Sequence, residues 1–441
     1  MRTINFVSVP TDIGSSGANV GIYYPTGLLS IATRINKQWP NYATVVDLTA
    51  GAPRQLITGE IVCISISSSL VYLQSIELAK EFKKLGRTII LGGAYVSQMF
   101  KQISKFKPDC FDFLIRGKAE NTLVKLLQAI EKNRDFEQIP NLSFFSNGKV
   151  VHTQDDNSEY DWEQSVPIDL NILTPLIESY WKNYKERIDS ETDYSFQVFT
   201  HFGCRYRDRL IASSKNPKGA MFRYCSFCGL NDVAKSRSPE KITTEIKHYL
   251  KEHKVPQGAS IGLKCYGDNA ATEIETLENL SNFQPYIDLQ NFYNLSWIFY
   301  VQSLYGSERL FKVLKQLNTK HIYVGFDAVN DNVQKLNALG TSKQTHWNTV
   351  KLAKKYGIKI QAGFVLGLAG ETIESLEEML SFAKELTEEN VLQRIIPSIV
   401  FIIPTSNAYK ELVKKFPHIN ETDYIPYNEL QKLWFDSFTS L

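Results

Sequence analysis

The sequence predicts an α/β protein in two sections, a Rossmann-like, doubly wound parallel sheet followed by a partial (β/α)6 barrel. Apolar strand segments alternate with helical segments along most of the chain, which is typical of parallel sheets covered by helices. A polar and aromatic stretch interrupts this alternation at 151–192. Six βα repeats without a hairpin follow it, and this run favours a barrel.

Composition narrows the class of protein. The chain has 441 residues, 43% of them hydrophobic and 22% charged, with a net charge of +2. Two or three domains are expected at this length. The charge balance indicates no nucleic-acid partner, and no segment is apolar for long enough to cross a membrane. Six cysteines, three of them clustered, do not form the pattern of a disulfide framework, so we expect a cytoplasmic protein.

The first section, residues 1–150, alternates strands with helices and ends in a hairpin. The apolar patterns predict strands at 4–9, 44–48, 61–66, 88–93 and 111–115, and helices at 26–38 and 71–85. The hairpin covers 141–151, and Asn147-Gly148 is its predicted turn. A ligand of such a sheet is expected at the carboxyl ends of its strands.

We interpret 151–192 as a linker, 193–407 as the barrel, and 408–441 as a C-terminal segment that packs on the barrel. The predicted barrel strands are 195–200, 260–266, 296–302, 321–326, 359–365 and 395–403. The predicted helices between them are 239–253, 307–317, 345–356 and 372–386, and Ser238-Pro239 is a typical helix start.

Three cysteines follow the first barrel strand. Cys204 comes first, and Cys225 and Cys228 form a Cys-x-x-Cys pair after a long insertion. Three thiolates can bind three irons of a cubane cluster and leave the fourth iron open. Three cysteines with His201 could instead bind zinc, and the pair alone could be a redox dithiol. The cysteines by themselves do not separate these alternatives.

The strand before Cys204 and the aromatic Phe227 within the pair resemble the radical S-adenosylmethionine (SAM) superfamily, which usually has a much shorter spacing between its first two cysteines. The resemblance implies a [4Fe-4S] cluster on Cys204, Cys225 and Cys228, and SAM as cosubstrate. It also implies reductive cleavage of SAM to a 5′-deoxyadenosyl radical, and an electron donor such as flavodoxin or ferredoxin.

The later strands strengthen the resemblance. The segment Gly363–Thr372 is similar to the family's glycine-rich segment under the adenine, and Asp327 stands where relatives carry a glutamate. The resemblance implies that Asp268 or Asp327 accepts hydrogen bonds from the ribose of SAM. It implies that the adenine lies against backbone at Gly363 or Gly367 and against Phe227.

Three segments of the first section resemble segments of a known type of domain, and they are Pro25–Leu29, Leu91–Ala94 and Arg116–Glu120. These segments look like the cobalamin-binding-type domain that precedes many radical SAM barrels. The family's Asp-x-His-x-x-Gly motif is absent, and no histidine precedes His152. A cobalamin with a histidine ligand is therefore excluded here, whereas cobalamin without a protein ligand, a substrate-binding role and a structural role stay open.

Cys265 is predicted on the second barrel strand and is not needed for a cluster. Radical SAM epimerases of ribosomally made peptides use a cysteine as hydrogen-atom donor, and the resemblance implies this role for Cys265. The other interpretation is a small buried side chain, as in most free cysteines. The insertion 205–224 is rich in arginine and lysine, so it either binds an anionic substrate or is a solvated excursion.

These observations predict a radical SAM enzyme that modifies a peptide substrate, with epimerisation through Cys265 as the specific hypothesis. Cobalamin-dependent methyl transfer is the alternative within the same superfamily. A zinc-stabilised binding protein is the alternative from another class.

Overall fold

The computed structural model describes residues 3–11, 21–132, 135–156, 165–213, 215–229, 233–267 and 269–441. Asp268, one of the predicted ribose ligands, lies outside these described residues. The chain divides into two compact units. The first contains Met1–Ser190 and Phe416–Tyr427, and the second contains Glu191–Lys415 and Asn428–Leu441. Among the described residues, no helix has the length and apolar character needed to cross a bilayer.

The first unit is an α/β unit. In chain order its elements are β1 Ile4–Ser8, α1 Thr26–Gln38, β2 Ala43–Asp47, β3 Ile61–Ser65, α2 Tyr72–Lys84, β4 Thr88–Gly92, α3 Ala94–Phe106, β5 Phe113–Ile115, α4 Ala119–Lys132, β6 Leu142–Ser146, β7 Lys149–His152, β8 Leu173–Thr174 and α5 Ile177–Arg187.

The described strands of this unit form one sheet in the order β7-β6-β5-β4-β3-β1-β2-β8. The run from β5 to β8 is parallel, and β6 and β7 form an antiparallel hairpin beside β5. Asn147 and Gly148 both have positive φ, 51° and 74°, as the predicted hairpin turn requires. The Rossmann-like parallel sheet is therefore confirmed, with the hairpin at its edge.

Gly93 shows why the turn after β4 needs glycine. Its φ is +104°, and a Cβ built on it would lie 2.6 Å from the Ile66 carbonyl oxygen. The Tyr95 amide donates to that same oxygen at 3.0 Å. The turn therefore brings two strand ends into close backbone contact at the carboxyl edge of the sheet.

The range predicted as a linker, 151–192, contributes to this unit. It carries β8, which pairs with β2, and α5. The Tyr180 hydroxyl on α5 donates to the Asp47 carboxylate at 2.6 Å, and both side chains are buried. Buried aromatic side chains such as Tyr180 and Tyr184 explain why the stretch packs instead of crossing as a free linker.

The predicted C-terminal segment also divides. Residues 416–427 belong to the first unit. There the buried Asp423 carboxylate accepts from the Tyr72 hydroxyl at 2.5 Å and lies 3.4 Å from the Lys107 ammonium, and Tyr424 stacks on Tyr72. Since Asp423 is paired and hydrogen-bonded, its burial is compensated.

The second unit also alternates strands and helices. Its elements are β9 Tyr194–Val198, β10 His201–Phe202, α6 Arg205–Ala212, β11 Lys235–Ser236, α7 Pro239–Glu252, β12 Ser260–Cys265, α8 Ile274–Ser281, α9 Gln284–Phe292, β13 Asn294–Gln302, α10 Glu308–Gln316, β14 Thr319–Asp327, α11 Asp331–Leu336, α12 Lys343–Tyr356, β15 Lys359–Leu366, α13 Ile373–Glu388, β16 Leu392–Ile399, α14 Asn407–Lys415 and α15 Tyr427–Phe438.

Six of these strands form a parallel sheet in the order β9-β12-β13-β14-β15-β16. Each strand lies beside the next one in the βα series, as the predicted repeats require. One face of the sheet is apolar and buried, with Phe196, Leu263, Phe299, Val324 and Ala362 at successive strands. Because the strands are parallel, their carboxyl ends lie along one edge, where the predicted site residues are found.

Candidate active site

The three clustered cysteines lie close to one another in the second unit. Cys204 directly precedes α6, and the Cys228 amide donates to the Cys225 carbonyl at 3.1 Å. None of the three is in a disulfide, and all three are partly exposed. Burial, then Cys228, Asp327 and Cys204, raise the pKa of the Cys225 thiol well above its ordinary value. The structure therefore brings these thiols and the Asp327 carboxyl around one place.

This donor set fits an iron–sulfur cluster in its chemistry. Thiolates that crowd together repel one another, and bound iron reverses this penalty because the metal favours deprotonated sulfur. In a cubane each thiolate binds a different iron, so the thiols surround a volume. As the side chains stand, no group of three or more His, Cys, Asp or Glu among the described residues is arranged to hold a metal ion.

His201, the zinc ligand of the alternative hypothesis, has other contacts. Its Nδ1 lies 2.8 Å from the Thr200 hydroxyl. Its ring is hydrogen-bonded to the Cys265 thiol, whose pKa this contact lowers against the effect of burial. The ring also lies against Gly267, where a Cβ would clash with it. The geometry therefore gives no support to a zinc site that uses His201.

Cys265 is completely buried at the end of β12. Its sulfur lies 3.2 Å from the Thr200 hydroxyl and accepts from the Gly267 amide at 3.4 Å. The register pairs Cys265 with Val198, which places both on the apolar face of the sheet. This position gives no support to a hydrogen-atom donor that reaches a substrate on the opposite face.

The long insertion between Cys204 and Cys225 begins with helix α6, which sequence reasoning missed. Arg205 forms a bidentate ion pair with the buried Glu273 carboxylate at 2.6 and 2.9 Å. Arg207 pairs with Asp208, and Arg209 hydrogen-bonds the Tyr305 hydroxyl. These arginines hold α6 in place, so the geometry does not support the anion-binding alternative for them.

Asp327 is placed at the carboxyl end of β14 by an irregularity in the sheet. The pairing with β15 shifts register between Gly325 and Asp327, and Asp327 has a φ of +57°, a conformation that costs free energy outside glycine. Asp327 is half-buried, and this burial raises the pKa of its carboxyl to about 7. Gly325 leaves room for it, since a Cβ there would lie 3.3 Å from Asp327 Oδ1.

The two glycines predicted under the adenine are covered by aromatic side chains of the chain itself. The Tyr323 hydroxyl lies against Gly363, and the Phe435 ring lies against Gly367. Gly367 has a φ of +86°, and the Trp434 indole N–H donates to its carbonyl at 2.7 Å. Phe227 is partly exposed beside the cysteines.

Trp434 lies in the C-terminal segment that the sequence predicts to pack on the barrel, and the sequence assigned it no role at this site. It is fully buried, stacks on Phe438 at 4.4 Å and packs on Phe222, three residues before Cys225. One indole thus contacts both the loop after β15 and the cysteine loop. Sequence reasoning placed 408–441 on the barrel, and no local pattern identified this tryptophan.

The fold and the site define the class of protein. Residues 221–383 match the family model of the Radical SAM superfamily. Residues 221–383 are therefore a radical SAM domain, which includes Cys225 and Cys228.

Two solved structures are similar over nearly the whole chain. One is the radical SAM methyltransferase TsrM from Kitasatospora setae with cobalamin and a [4Fe-4S] cluster bound, at TM-score 0.68 and 14% identity, covering 94% of this chain and 75% of that one. The other is the cobalamin-dependent radical enzyme OxsB with aqua-cobalamin and SAM bound, at TM-score 0.69 and 14% identity, covering 96% and 62%.

Curated relatives are more similar in sequence but longer. An uncharacterized methyltransferase of Pyrococcus horikoshii is 24% identical over 338 residues, 74% of this chain and 64% of that protein. The anaerobic magnesium-protoporphyrin IX monomethyl ester cyclase of Cereibacter sphaeroides is 24% identical over 323 residues, 70% and 47%. The chain spans less than two thirds of the length of these two relatives.

Proposed function

We propose that this chain is a cobalamin-dependent radical SAM methyltransferase, the alternative that the sequence left beside epimerisation. One observation carries the proposal. Both units together, over 94% and 96% of the chain, share the fold of two enzymes solved with cobalamin bound. The similarity to an uncharacterized methyltransferase supports the same activity.

The residues of the second unit fit the cluster and SAM. Cys204, Cys225 and Cys228 would hold the cluster. When bound, the cluster supplies an electron to SAM, and a corrinoid supplies a carrier for the methyl group. The half-buried Asp327 carboxyl beside Cys225 would hold a proton or accept a hydrogen bond at this edge, because its pKa lies near neutral pH.

The first unit offers backbone and no imidazole at its carboxyl edge. Beyond β5, a Cβ at Gly117 would meet nothing within 4 Å, so the backbone there is open to a ligand. His152 lies on β7 in the antiparallel part of the sheet, and its Nδ1 lies 2.9 Å from the Ser143 hydroxyl. A corrinoid in this unit would therefore be held without a histidine on cobalt.

Peptide epimerisation is the less well supported hypothesis for a chain with this fold. The comparisons point to methyl transfer, and Cys265 lies buried on the apolar face of its sheet. Replacing Cys265 by alanine would decide its role, because an epimerase would lose its product while SAM cleavage continued.

Anaerobic reconstitution with iron and sulfide tests the proposal. We expect about four irons per chain and release of S-adenosylhomocysteine from SAM that depends on added cobalamin. Cys225→Ser should lose iron and the release of S-adenosylhomocysteine, because a cubane needs all three thiolates. Cys110→Ala, which removes a buried thiol of the first unit, is the matched control and should keep them.

Two results would contradict the proposal. One is a Cys225→Ser protein that retains full iron and cleaves SAM while melting at the temperature of the parent chain. The other is S-adenosylhomocysteine release that is independent of cobalamin.

A further inference from the structure

The face of the second-unit sheet opposite its apolar core carries a row of polar side chains, one from each strand. The pairing register runs from Gln197 to Lys264 across β9 and β12, and from Tyr300 through Tyr323 and Gln361 to Arg394 across β13 to β16. Lys264 joins the two runs, because its ammonium lies 3.9 Å from the centre of the Tyr300 ring. We call these six residues the polar row.

The polar row is partly buried. Gln197, Lys264 and Gln361 are 2%, 6% and 5% exposed, whereas Tyr300, Tyr323 and Arg394 keep partial exposure. Polar and charged groups this far inside cost free energy unless something compensates them. The row is therefore buried at Gln197, Lys264 and Gln361 and accessible in part at Tyr300, Tyr323 and Arg394.

Arg394 is the cation in this row whose partners are best defined. Its Nε and Nη2 donate to the Gln361 amide oxygen at 3.2 and 2.9 Å. Across the part of the chain that the structure describes, no carboxylate lies within ion-pair distance of its guanidinium. A neutral amide orients the guanidinium but leaves its charge unbalanced.

Lys264 adds a second positive charge. Burial, opposed by Cys265 and aided by the nearby Arg394, lowers its pKa to about 8. A pKa of about 8 still leaves the ammonium mostly protonated at neutral pH. The row thus has two cations and no acidic member.

Two tyrosines form the middle of the row. The Tyr300 and Tyr323 rings are 4.7 Å apart, and burial raises the pKa of both hydroxyls, so both remain protonated and able to donate. Gly325 follows Tyr323 on the same face of β14, and the Asp327 carboxyl lies on that side, 3.3 Å from where a Gly325 Cβ would be. The row therefore lies below the cysteine site on one continuous face.

We propose that the polar row binds an anionic group, a carboxylate, of the substrate, with the rings of Tyr300 and Tyr323 against its apolar part. The inference rests on the proposed function, because it takes the cysteine site next to the row as the place of the reaction. Arg394 is the principal binding residue, because a guanidinium matches a carboxylate with two parallel hydrogen bonds. SAM also carries a carboxylate, so the test must separate the two sources.

Calorimetric titration of the cluster-loaded protein with benzoate tests the proposal, and benzamide is the neutral probe of the same shape. We expect benzoate to bind at least tenfold more tightly than benzamide, and Arg394→Met to remove that preference. Arg394→Lys, which keeps the charge, should retain part of it. Arg309→Met, which removes an exposed arginine paired with Glu278, should leave benzoate binding unchanged.

A second arm repeats the benzoate titration with saturating SAM. We expect no competition if the row takes the substrate, whereas displacement of benzoate by SAM assigns the row to SAM and overturns the proposal. Equal affinities for benzoate and benzamide, or an Arg394→Met protein that is folded and still prefers benzoate, would also overturn it. These titrations need no cobalamin, so they are independent of the methyl-transfer test.

Discussion

His346 is a histidine held neutral inside the second unit. It is completely buried, its Nε2 donates to the Ala328 carbonyl at 2.9 Å, and its Nδ1 accepts from the Ser303 hydroxyl at 2.7 Å. Burial lowers its pKa to about 4, opposed weakly by Ala328 and Asp331. The imidazole therefore supports the loop after β14, close to Asp327, only in its neutral form.

This lowered pKa predicts a loss of stability in acid. As the pH falls from about 6.5 toward 4, the unfolded chain binds a proton at His346 and the folded chain does not, so the free energy of unfolding decreases. The expected contribution is about 2 kcal/mol between pH 7.5 and pH 5. Urea unfolding at these two pH values, followed by circular dichroism, measures it.

His346→Gln should remove that part of the pH dependence even though it lowers stability at both pH values. His418→Gln, which changes an exposed histidine, is the control and should unfold as the parent chain does. An unaltered pH dependence in His346→Gln would contradict the assignment.

At the scale of elements, hydrogen bonds join α15 and the residues after it to the loop between β15 and α13. Besides the bond from Trp434 to Gly367, the Gly370 amide donates to the Phe438 carbonyl at 2.7 Å, and the Ser440 amide donates to the Glu371 carbonyl at 2.9 Å. The Glu371 carboxylate accepts from the Gly367 amide, and burial raises its pKa to about 7. The conformation of the glycine-rich loop therefore depends on a helix distant in sequence.

Trp434→Phe should weaken SAM binding. It keeps an aromatic ring but leaves the buried Gly367 carbonyl without its donor, which costs about 1–3 kcal/mol of stability. We expect a several-fold higher KM for SAM in the cleavage assay and a lower melting temperature.

Trp347→Phe is the matched control, because Trp347 packs on Phe382 at 5.1 Å away from this loop, and it should leave the KM unchanged. A Trp434→Phe enzyme with the parent KM would show that α15 does not position the loop.

At the scale of the whole molecule, each unit has its own parallel sheet, and each sheet has a carboxyl edge suited to a ligand. The histidines of the first unit are His152 and His418. The former lies on an antiparallel edge strand and packs on Phe100, and the latter is exposed.

Cobalamin bound to the chain should therefore lack an imidazole from the protein. After reduction of added hydroxocobalamin to its Co(II) form, we expect an electron paramagnetic resonance spectrum that is identical in the parent chain, His152→Gln and His418→Gln. Nitrogen splitting that disappears in either variant would contradict this expectation.

The alternation of strands and helices could be predicted because it depends on local periodicity. The observed strand β12, Ser260–Cys265, agrees with the predicted strand at 260–266. Helix α7 begins at Pro239, as its serine cap indicates. The helix α6 was missed because four of the eight residues in 205–212 are charged and leave no apolar stripe, and an ion pair from Arg205 to a distant glutamate holds α6 in place.

The polar row could have been suspected from the strands. In β12, Ile261, Leu263 and Cys265 alternate with Gly262 and Lys264, which is the two-residue period of a strand with one polar face. The same period assigns Cys265 to the apolar face. Which face is enclosed, and which side chains meet across it, depends on register between strands far apart in sequence.

The sequence by itself indicated the radical SAM superfamily, three clustered cysteines as candidate cluster ligands, the alternating strands and helices of both sections, and the absence of a histidine before His152. These features depend on residue type and short spacing. Tertiary structure decided that Cys265 faces away from the polar row, that Trp434 holds the Gly367 loop, and that Arg394 lies near Lys264. Such contacts join residues up to about 130 positions apart, and only packing and strand register bring them together.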